Sequence, residues 1–474
     1  MIARQQGARY ALGVLLLLCP LRLWAHAHLV RSEPASHSRI AAAPATIRLW
    51  FSEAPELAFS TVTLLGPDLS RVALGPLQPI GGQPLAIQAA VQGTLRAGRY
   101  TVLWRTAGAD GHPSRGRFDF VVLPQTDSAV TPPTTGPPVI PAPAHVEMMQ
   151  RHTQGRPHAM PEEGEVDASA PVYIAIRWLT FITILALVGV VAFRWLVLAP
   201  VTAGAVPYGA ELDETGSRRA GGLGLIAAAL LLAVAVARLF AQSYAMHGGA
   251  DATDGGMIRA MLVDTVWGAG WLIQVGLAMG AVAGFAIARR GIRAGWGIAS
   301  VCAVALTVTP ALSGHAIAAS RMTTAVVLAD ALHVLGGGGW LGGLLALMVV
   351  GLPAALALEQ GSAGLAVADL VEAYSPTALA FAALIIITGT FTAWLHIGSV
   401  AALWSSGYGR TLLLKLLAVV PMAATGAYNW RRVRPSLGSD VGAGRLRRSA
   451  SAELAIGALV LTVTAVLVAV QPPR

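Results

Sequence analysis

Short runs of alternating apolar and polar residues fill positions 26 to 123, with turns rich in glycine and proline between them. The alternating runs lie at about 46–51, 60–65, 85–87, 100–104 and 116–122. Such alternation is typical of half-buried strands, and several short strands separated by turns predict an all-β sandwich of about seven strands. A domain of this length can bury a core without covalent crosslinks.

The pattern changes after about residue 171, where eight apolar stretches each approach the length that a bilayer requires. They lie at about 173–198, 221–244, 262–287, 296–319, 325–350, 375–398, 411–430 and 452–470. The sequence therefore predicts a multidomain chain, in which an all-α membrane bundle of eight transmembrane helices follows the β domain.

Two further segments complete the division of the chain. Residues 1–25 have the form of a signal peptide, because Arg4 and Arg9 precede an apolar run and Ala25 offers a small residue for cleavage. Residues 125–170 are rich in proline, threonine and charge, which predicts a disordered linker. We thus expect a signal at 1–25, a β domain at 26–124, a linker at 125–170 and a membrane domain at 171–474.

Arginine positions indicate the orientation of the eight helices. A signal peptide would export the β domain, so the first helix runs inward and the loops then alternate between the two sides. On this assignment the outer loops carry only Arg259, Arg321 and Arg410. The inner loops carry Arg218, Arg219, Arg289, Arg290, Arg293, Arg431, Arg432, Arg434, Arg445, Arg447 and Arg448. This inner excess agrees with the exported β domain. We expect a multi-pass protein of the bacterial inner (plasma) membrane with its amino-terminal domain in the periplasm.

Composition narrows the class of protein. Of all residues 55% are hydrophobic and only 12% are charged, which is too apolar for a purely soluble protein. The net charge of +9 comes almost wholly from arginine, and these arginines form no stripe on a soluble domain, which argues against a nucleic-acid partner. Cys19 falls in the signal and Cys302 in a membrane span, so no disulfide framework is available.

The histidines of the membrane domain all fall in its outer half. His315 lies near the outer end of the fourth helix, His333 about two turns into the fifth, and His396 at the outer end of the sixth, while His247 lies in the first outer loop. Asp330 is three residues before His333 and shares its helix face. Ionisable groups in spans usually face a bundle interior or a water-filled cavity. We therefore expect a metal path that includes His315, Asp330, His333 and His396.

Several of these residues also have a structural interpretation. His315 can cap a helix end, and His396 can anchor the membrane interface beside Trp394. Lys415, near the outer end of the seventh helix, is interpreted as a snorkelling interfacial residue because a protonated ammonium binds no metal. The pair of Asp330 and His333 is the hardest to explain as structural.

The inner half offers fewer chemical groups. Glu372, Asn429 and Glu453 either line an exit or pair with arginines, and the sequence favours pairing. The glycine-rich run 336–343 inside the fifth helix favours close packing between helices. The alternative is a broken helix that exposes carbonyl groups to a permeating ion.

A metal site is also predicted in the β domain. Asp110 and His112 lie two residues apart in a turn between strands, which is a weak signal alone. Cleavage after residue 25 would give His26 a free amine, which can bind a metal together with an imidazole nitrogen of the same residue. With an imidazole nitrogen of His112 and a carboxylate oxygen of Asp110, this makes a set of three nitrogens and one oxygen, which suits Cu(II). In a competing mode the amine, two backbone amides and His28 wrap Cu(II) locally. Because no methionine lies between His26 and residue 123, a thioether Cu(I) site in this domain is excluded.

The linker carries a group of histidines and methionines. These are soft and borderline ligands for copper, although a polar linker also acquires such residues by chance. The group comprises His145, Met148, Met149, His152, His158 and Met160.

The β domain resembles the CopC family of periplasmic copper-binding proteins. The matching segments are His26-Ala27-His28-Leu29, Ser32-Glu33-Pro34-Ala35, Leu49-Trp50-Phe51-Ser52-Glu53, Ala109-Asp110-Gly111-His112-Pro113, Gly116 and Phe118-Asp119-Phe120-Val121.

The membrane part resembles the CopD family. Its segments are Ser313-Gly314-His315-Ala316, Asp330-Ala331-Leu332-His333, Trp340-Leu341-Gly342-Gly343, Tyr374-Ser375-Pro376, Thr388-Gly389-Thr390, Tyr408-Gly409-Arg410-Thr411-Leu412-Leu413-Leu414-Lys415 and Tyr428-Asn429. Together the two resemblances cover most of the chain and match bacterial CopC–CopD fusions.

The resemblance implies a Greek-key sandwich, Ig-like or cupredoxin-like, that holds Cu(II) through His26, Asp110 and His112. It favours this set over the local His28 mode. The methionine-rich Cu(I) loop of some relatives is absent from this β domain, which leaves the membrane domain as the candidate for Cu(I).

The leading hypothesis is a non-enzymatic protein that captures copper outside and transports it across the inner membrane, in copper uptake, homeostasis or resistance. Its expected partners are the copper ion and membrane lipid, with a periplasmic copper chaperone as a further candidate. The alternatives are a non-transporting copper sensor or storage protein and a haem-binding membrane oxidoreductase. An oxidative enzyme built on an amino-terminal histidine chelate ranks below these, because Asp110 would occupy the position that such an enzyme leaves open.

Overall fold

The computed structural model describes residues 29–108, 113–124, 171–204, 206–247, 249, 251–312, 323–359, 361–433, 435 and 440–470. The predicted signal at 1–25 and the predicted linker at 125–170 lie outside these residues. The proposed division of the chain at those boundaries therefore stays a prediction.

Residues 29–122 form two β-sheets that pack on each other. One sheet has the strand order β1-β3-β7-β6 and the other has the order β2-β9-β8-β4-β5. The strands are β1 Leu29–Glu33, β2 Arg39–Ile40, β3 Thr46–Phe51, β4 Thr61–Leu65, β5 Arg71–Val72, β6 Gln78–Ile80, β7 Gln83–Ala90, β8 Gly98–Ala107 and β9 Pro113–Val122. A single 3₁₀ turn, Leu57–Phe59, joins β3 to β4.

Alternating side chains of the long strands build the core of the sandwich. Ile47, Leu49 and Phe51 alternate along β3 and are each at most 2% exposed. They meet Val102 and Phe120 from the facing sheet. The predicted sandwich is confirmed, but it has nine strands rather than about seven, because β2 and β5 are two residues long and leave no alternation in the sequence.

The membrane domain contains eight helices that are long and apolar enough to cross a bilayer, as predicted. They are α1 Pro171–Ala203, α2 Gly209–His247, α3 Val266–Arg289, α4 Arg293–Leu312, α5 Thr324–Ala355, α6 Ala363–Ile397, α7 Gly407–Arg432 and α8 Gly444–Leu467. Two short helices, Gly255–Val263 and Ala402–Ser405, precede α3 and α7. Helices α2 and α6 each begin about twelve residues before the apolar stretch that predicted them. Their first turns are polar, and hydropathy alone does not detect a polar helical turn.

The glycine-rich run of α5 serves close packing, as the sequence favoured, and the helix is not broken there. A β-carbon on Gly342 would lie 1.9 Å from the carbonyl oxygen of Leu185 on α1. One on Gly189 would lie 1.9 Å from the backbone of Gly342. The backbones of α1 and α5 therefore touch directly. At the same place the chain widens into a π-helical segment, Gly338–Gly342.

The β domain docks on the outer ends of α2 and α3. Phe59 and Ala107 share an apolar cluster with Met246, Trp267 and Trp271 of the membrane domain. Two polar contacts border this cluster. Nη1 of Arg105 donates to the carbonyl of Met246 at 2.9 Å, and the Val266 amide donates weakly to Oε1 of Glu56 at 3.4 Å. The domain thus contacts the first predicted outer loop, in agreement with the orientation inferred from the arginines.

The contact between α1 and α5 makes a direct stability prediction. Alanine at position 342 must push two helix backbones apart, because its β-carbon meets backbone rather than a flexible side chain. Gly297 of α4 has no atom within 4 Å of the corresponding position, so G297A is the matched control. We expect G342A to lower the thermal unfolding midpoint of the detergent-solubilised protein and G297A to leave it unchanged or raise it. Equal midpoints for the two variants would contradict the close contact.

The docking contact is expected to depend on pH. Burial raises the pKa of Glu56 above its ordinary value, more than the hydrogen bond from Val266 lowers it. A carboxyl whose pKa is raised by docking binds its proton more tightly in the docked state. Docking is therefore strongest below the ordinary pKa of the undocked carboxyl, and it weakens as the pH rises through the raised pKa of the docked carboxyl. E56Q cannot ionise and should stay docked throughout. Spin-label distances between the two domains measure this, with E33Q as control, because Glu33 lies at the far end of β1 and pairs with Arg31 and Arg48 of its own domain.

Candidate metal sites

Three helices bring polar side chains together in the outer half of the bundle. Asp330 and His333 lie on α5, Thr388 on α6, and Tyr408 and Lys415 on α7. His396, at the end of α6, places its ring 6.1 Å from that of Tyr408. The predicted helix face of Asp330 and His333 therefore points toward α6 and α7 rather than to lipid.

A hydroxyl of α6 fixes the orientation of His333. Nδ1 of His333 lies 3.0 Å from Oγ1 of Thr388. The Thr388 hydroxyl gives its one hydrogen to the carbonyl of Leu384, at 2.7 Å. Thr388 must therefore accept from Nδ1–H, and the lone pair of His333 lies on Nε2. An imidazole held through one nitrogen with the other left as a base is the arrangement of a metal ligand.

The same arrangement recurs at His396. Its Nδ1 lies 2.9 Å from the carbonyl oxygen of Thr392, one turn earlier on α6. Because a carbonyl only accepts, Nδ1 carries the hydrogen and Nε2 is the base. This bond also explains how His396 is tolerated at a helix end, so the interpretation as an interfacial anchor stays open beside that of a ligand.

Lys415 lies toward Asp330 and His333 of α5, and its interpretation as a snorkelling residue stays a prediction. Its side chain is half-buried, and its charge acts on both Asp330 and His333 of α5. An ammonium beside a carboxylate lowers the cost of keeping either charge inside the bundle. Asp330 is thus balanced by a cation of the protein itself, and a metal that approaches His333 meets a positive charge nearby.

The structure brings together only part of the predicted path. Among the described residues, no three side chains of histidine, cysteine, aspartate or glutamate are grouped closely enough to hold a metal ion. His315 lies outside the described residues, as do His26, His28, Asp110 and His112 of the β domain. The assignment of all these residues as ligands stays a prediction.

The residues that flank the β-domain ligands meet at one end of the sandwich. Leu29, three residues after His26, pairs with Phe51. Ala107 pairs with Pro113, and these two residues flank the segment 109–112 in the sequence. The ring of Phe51 lies 5.4 Å from that of Trp104 on β8, so the two flanks lie beside each other. This end, which includes Ala107, is the end that docks on the membrane domain.

A second polar cluster lies in the inner half of the bundle, where the sequence favoured pairing with arginines. That interpretation is wrong for Glu453. Its Oε1 accepts from Nε1 of Trp340 and its Oε2 from Nδ2 of Asn429, each at 3.1 Å. Tyr374 extends the network by donating to the carbonyl of Trp340, at 2.7 Å. Both donors to Glu453 are neutral and come from different helices, which no local sequence pattern reveals.

Comparison with protein families decides the relationship of this chain. The CopC domain matches residues 29–123. The N-terminal domain of the Copper resistance protein D-like family matches residues 166–325, and Copper resistance protein D matches residues 368–467. The chain belongs to the CopC–CopD fusion family.

Relatives of this CopC–CopD protein are found at both full and domain length. The copper transport protein CutJ of Bacillus subtilis is 23% identical over 471 residues, 97% of this chain and 76% of CutJ. Copper resistance protein C of Pseudomonas syringae pv. tomato is 38% identical over 103 residues, 21% of this chain and 81% of that protein. A crystal structure of PcoC, a methionine-rich copper resistance protein from Escherichia coli, aligns with this chain at 35% sequence identity and a TM-score of 0.19. The alignment covers 21% of this chain and 99% of PcoC.

Membership in the CopC–CopD family fixes the coarse function. The chain is a multi-pass membrane protein of a copper resistance and transport family, and copper is the metal that this family handles. The two resemblances drawn from sequence motifs are thereby confirmed at the level of family and fold.

The bond between His333 and Thr388 predicts a selective effect on metal binding. T388V keeps the shape of the side chain but removes the acceptor that holds Nδ1, so copper affinity of the membrane domain should fall by roughly tenfold. T390V is the matched control, because Thr390 is exposed and bonds only to the carbonyl of Ile386. Copper titration of the purified full chain measures both variants. An equal effect of T388V and T390V would contradict the role given to Thr388.

Proposed function

We propose that this protein captures Cu(II) with its periplasmic β domain and moves copper inward across the inner membrane. The observation that carries the proposal is the docking of the β domain. The end of the sandwich that flanks His26, Asp110 and His112 packs directly on the outer ends of α2 and α3. Copper released from those residues would therefore be released at the membrane domain rather than into the periplasm.

Packing at the outer ends of the helices connects the docking site to the histidines of α5 and α6. A β-carbon on Gly270 of α3, beside the docking residue Trp271, would lie 3.5 Å from Cβ of Leu312 on α4. Leu312 precedes His315 by three residues. Next to it, Ala311 packs with Val326 of α5 and with Leu395 of α6, which adjoins His396. The outer end of α4 thus lies between the docked domain and the histidine helices, which supports a route through His315.

The route continues through His396 and His333, each with Nε2 as the free base. Imidazole suits copper in either common oxidation state. Successive single ligands favour movement over storage, because an ion must bind strongly enough to leave water but weakly enough to leave each site. The absence of a closed three-ligand cluster among the described residues supports a path rather than a storage site.

Asp330 and Lys415 are assigned an electrostatic role in this path. The Asp330 carboxylate attracts a cation toward His333, while the Lys415 ammonium opposes it. With an ammonium in the neighbourhood, the field of the carboxylate on a passing copper ion is weaker than that of a lone carboxylate. We therefore assign Asp330 as an attracting group whose strength Lys415 limits, so that copper is not trapped.

Radiocopper flux into vesicles of known orientation tests the proposal. Wild-type protein should move copper from the face that carries the β domain, and H333A should lose most of that flux. H37N is the matched control, since His37 is an exposed histidine of the β domain and asparagine tolerates its positive φ of 61°. Wild-type flux in H333A would remove His333 from the path.

The β-domain site is tested separately. Amino-terminal sequencing of the mature protein should find His26 as the first residue, since only then does it carry the required amine. Any other first residue would exclude the site of His26, Asp110 and His112. A Soret band in the purified protein would favour the haem-binding alternative instead.

A further inference from the structure

Glu453 is the most deeply buried charged residue that the structure describes. It is 4% exposed, and among the described residues no other acidic or basic side chain falls in the fully buried class. It lies near the middle of α8, toward the predicted inner side from the histidines. Ionisable residues at such positions are costly and by default mark a functional site.

The surroundings of Glu453 contain no compensating cation among the described residues. Trp340 of α5 and Asn429 of α7 donate to its two oxygens. From α1, Trp178 approaches α8 but bonds to the carbonyl of Ala458. The titratable group that faces Glu453 is the phenol of Tyr374 on α6, which is neutral. Every helix around Glu453 thus presents an uncharged group, and a permanent carboxylate there would lack a counter-charge.

Asn429 supplies the second half of the site. Its Nδ2 donates to Glu453, while its Oδ1 is buried and has no hydrogen-bond partner. A buried acceptor without a donor is costly, so this oxygen has a reason to be retained. The carboxyl of Glu453, which already contacts the same amide, becomes a donor once it carries a proton.

The pair can keep one hydrogen bond between its side chains in either protonation state. With Glu453 ionised, Nδ2–H of Asn429 donates to Oε2. When Oε2 takes a proton from water, the carboxylate loses its charge and the amide turns by half a rotation, so that Oε2–H donates to Oδ1. A metal ion is a poorer occupant, because two N–H groups already point at the carboxylate and would repel it.

We infer that Glu453 and Asn429 form a proton-binding site whose loading and release accompany copper movement. The inference rests on the proposed transport function. The geometry of the two donors supports it further, since Trp340 and Asn429 each lie in a π-helical segment, Gly338–Gly342 and Asn429–Val433. Such segments are rare, occur often at functional sites and allow a side chain to shift by one position.

Proteoliposomes with a trapped pH-sensitive dye test the coupling. Wild-type protein should show proton movement that depends on added copper, and E453Q should lose it. E372Q is the matched control, because Glu372 is an exposed carboxylate of the inner half of α6. Copper flux in the wild type without any proton movement, or proton movement retained in E453Q, would overturn the inference while leaving copper transport standing.

Infrared spectroscopy of the purified full chain tests the proton site without transport. The wild type and E372Q should show the carbonyl band of a buried protonated carboxyl, which disappears as pH rises, and E453Q should lack it. N429L removes both the donor and the acceptor, so it should shift the pH at which the band disappears. A band that persists in E453Q, or no shift in N429L, would overturn the site. If wild-type vesicles move no copper, transport fails, and this band alone decides whether Glu453 binds a proton.

Discussion

A bilayer offers no hydrogen bonds, so each polar side chain inside it must find a partner within the protein, and this requirement links the helices of the bundle. Some of these bonds stay within one helix, as from His396 to the carbonyl of Thr392, and others join two helices. Four that join helices are Tyr173 to Gln242 between α1 and α2, His333 to Thr388 between α5 and α6, Tyr374 to the carbonyl of Trp340 between α6 and α5, and Trp340 to Glu453 between α5 and α8. Three of these four involve α5, whose glycines let α1 approach to backbone contact. The helix that α1 touches through its backbone therefore also carries several of the polar groups that link the bundle.

The fold was predictable from sequence because hydropathy and alternation are local properties, and the eight helices and the long strands lie where those patterns indicate. The candidate sites were predictable only in part. Asp330 and His333 share a helix face through their spacing, but the partners Thr388 and Lys415 come from other helices and are set by packing. Glu453 was misassigned for the same reason, since nearby arginines in the sequence suggested a pairing that the fold replaces with Trp340 and Asn429.

Docking changes how transfer between the domains should be understood. A flexible linker alone would raise the local concentration of the β domain but leave its orientation free. Here Arg105, Phe59 and Glu56 fix one end of the sandwich on the membrane domain. Two polar bonds border the apolar cluster of this contact, and contacts between domains of one chain commonly form and break with modest free energy. A domain that docks in one orientation and still releases can collect copper away from the membrane and deliver it at a fixed place.

The outer histidines and the inner carboxylate communicate most directly along α5. His333 and Trp340 are seven residues apart on this helix, which is about 10 Å along its axis. The π-helical segment that contains Trp340 begins at Gly338, between the two. A π segment holds one more residue per turn than an α-helix, so its shift along the helix rotates the residues on one side relative to the other. If copper binds at His333 as proposed, the close contact with α1 leaves α5 little room to translate, so rotation about this segment is the movement that would carry a change at His333 toward Trp340 and Glu453.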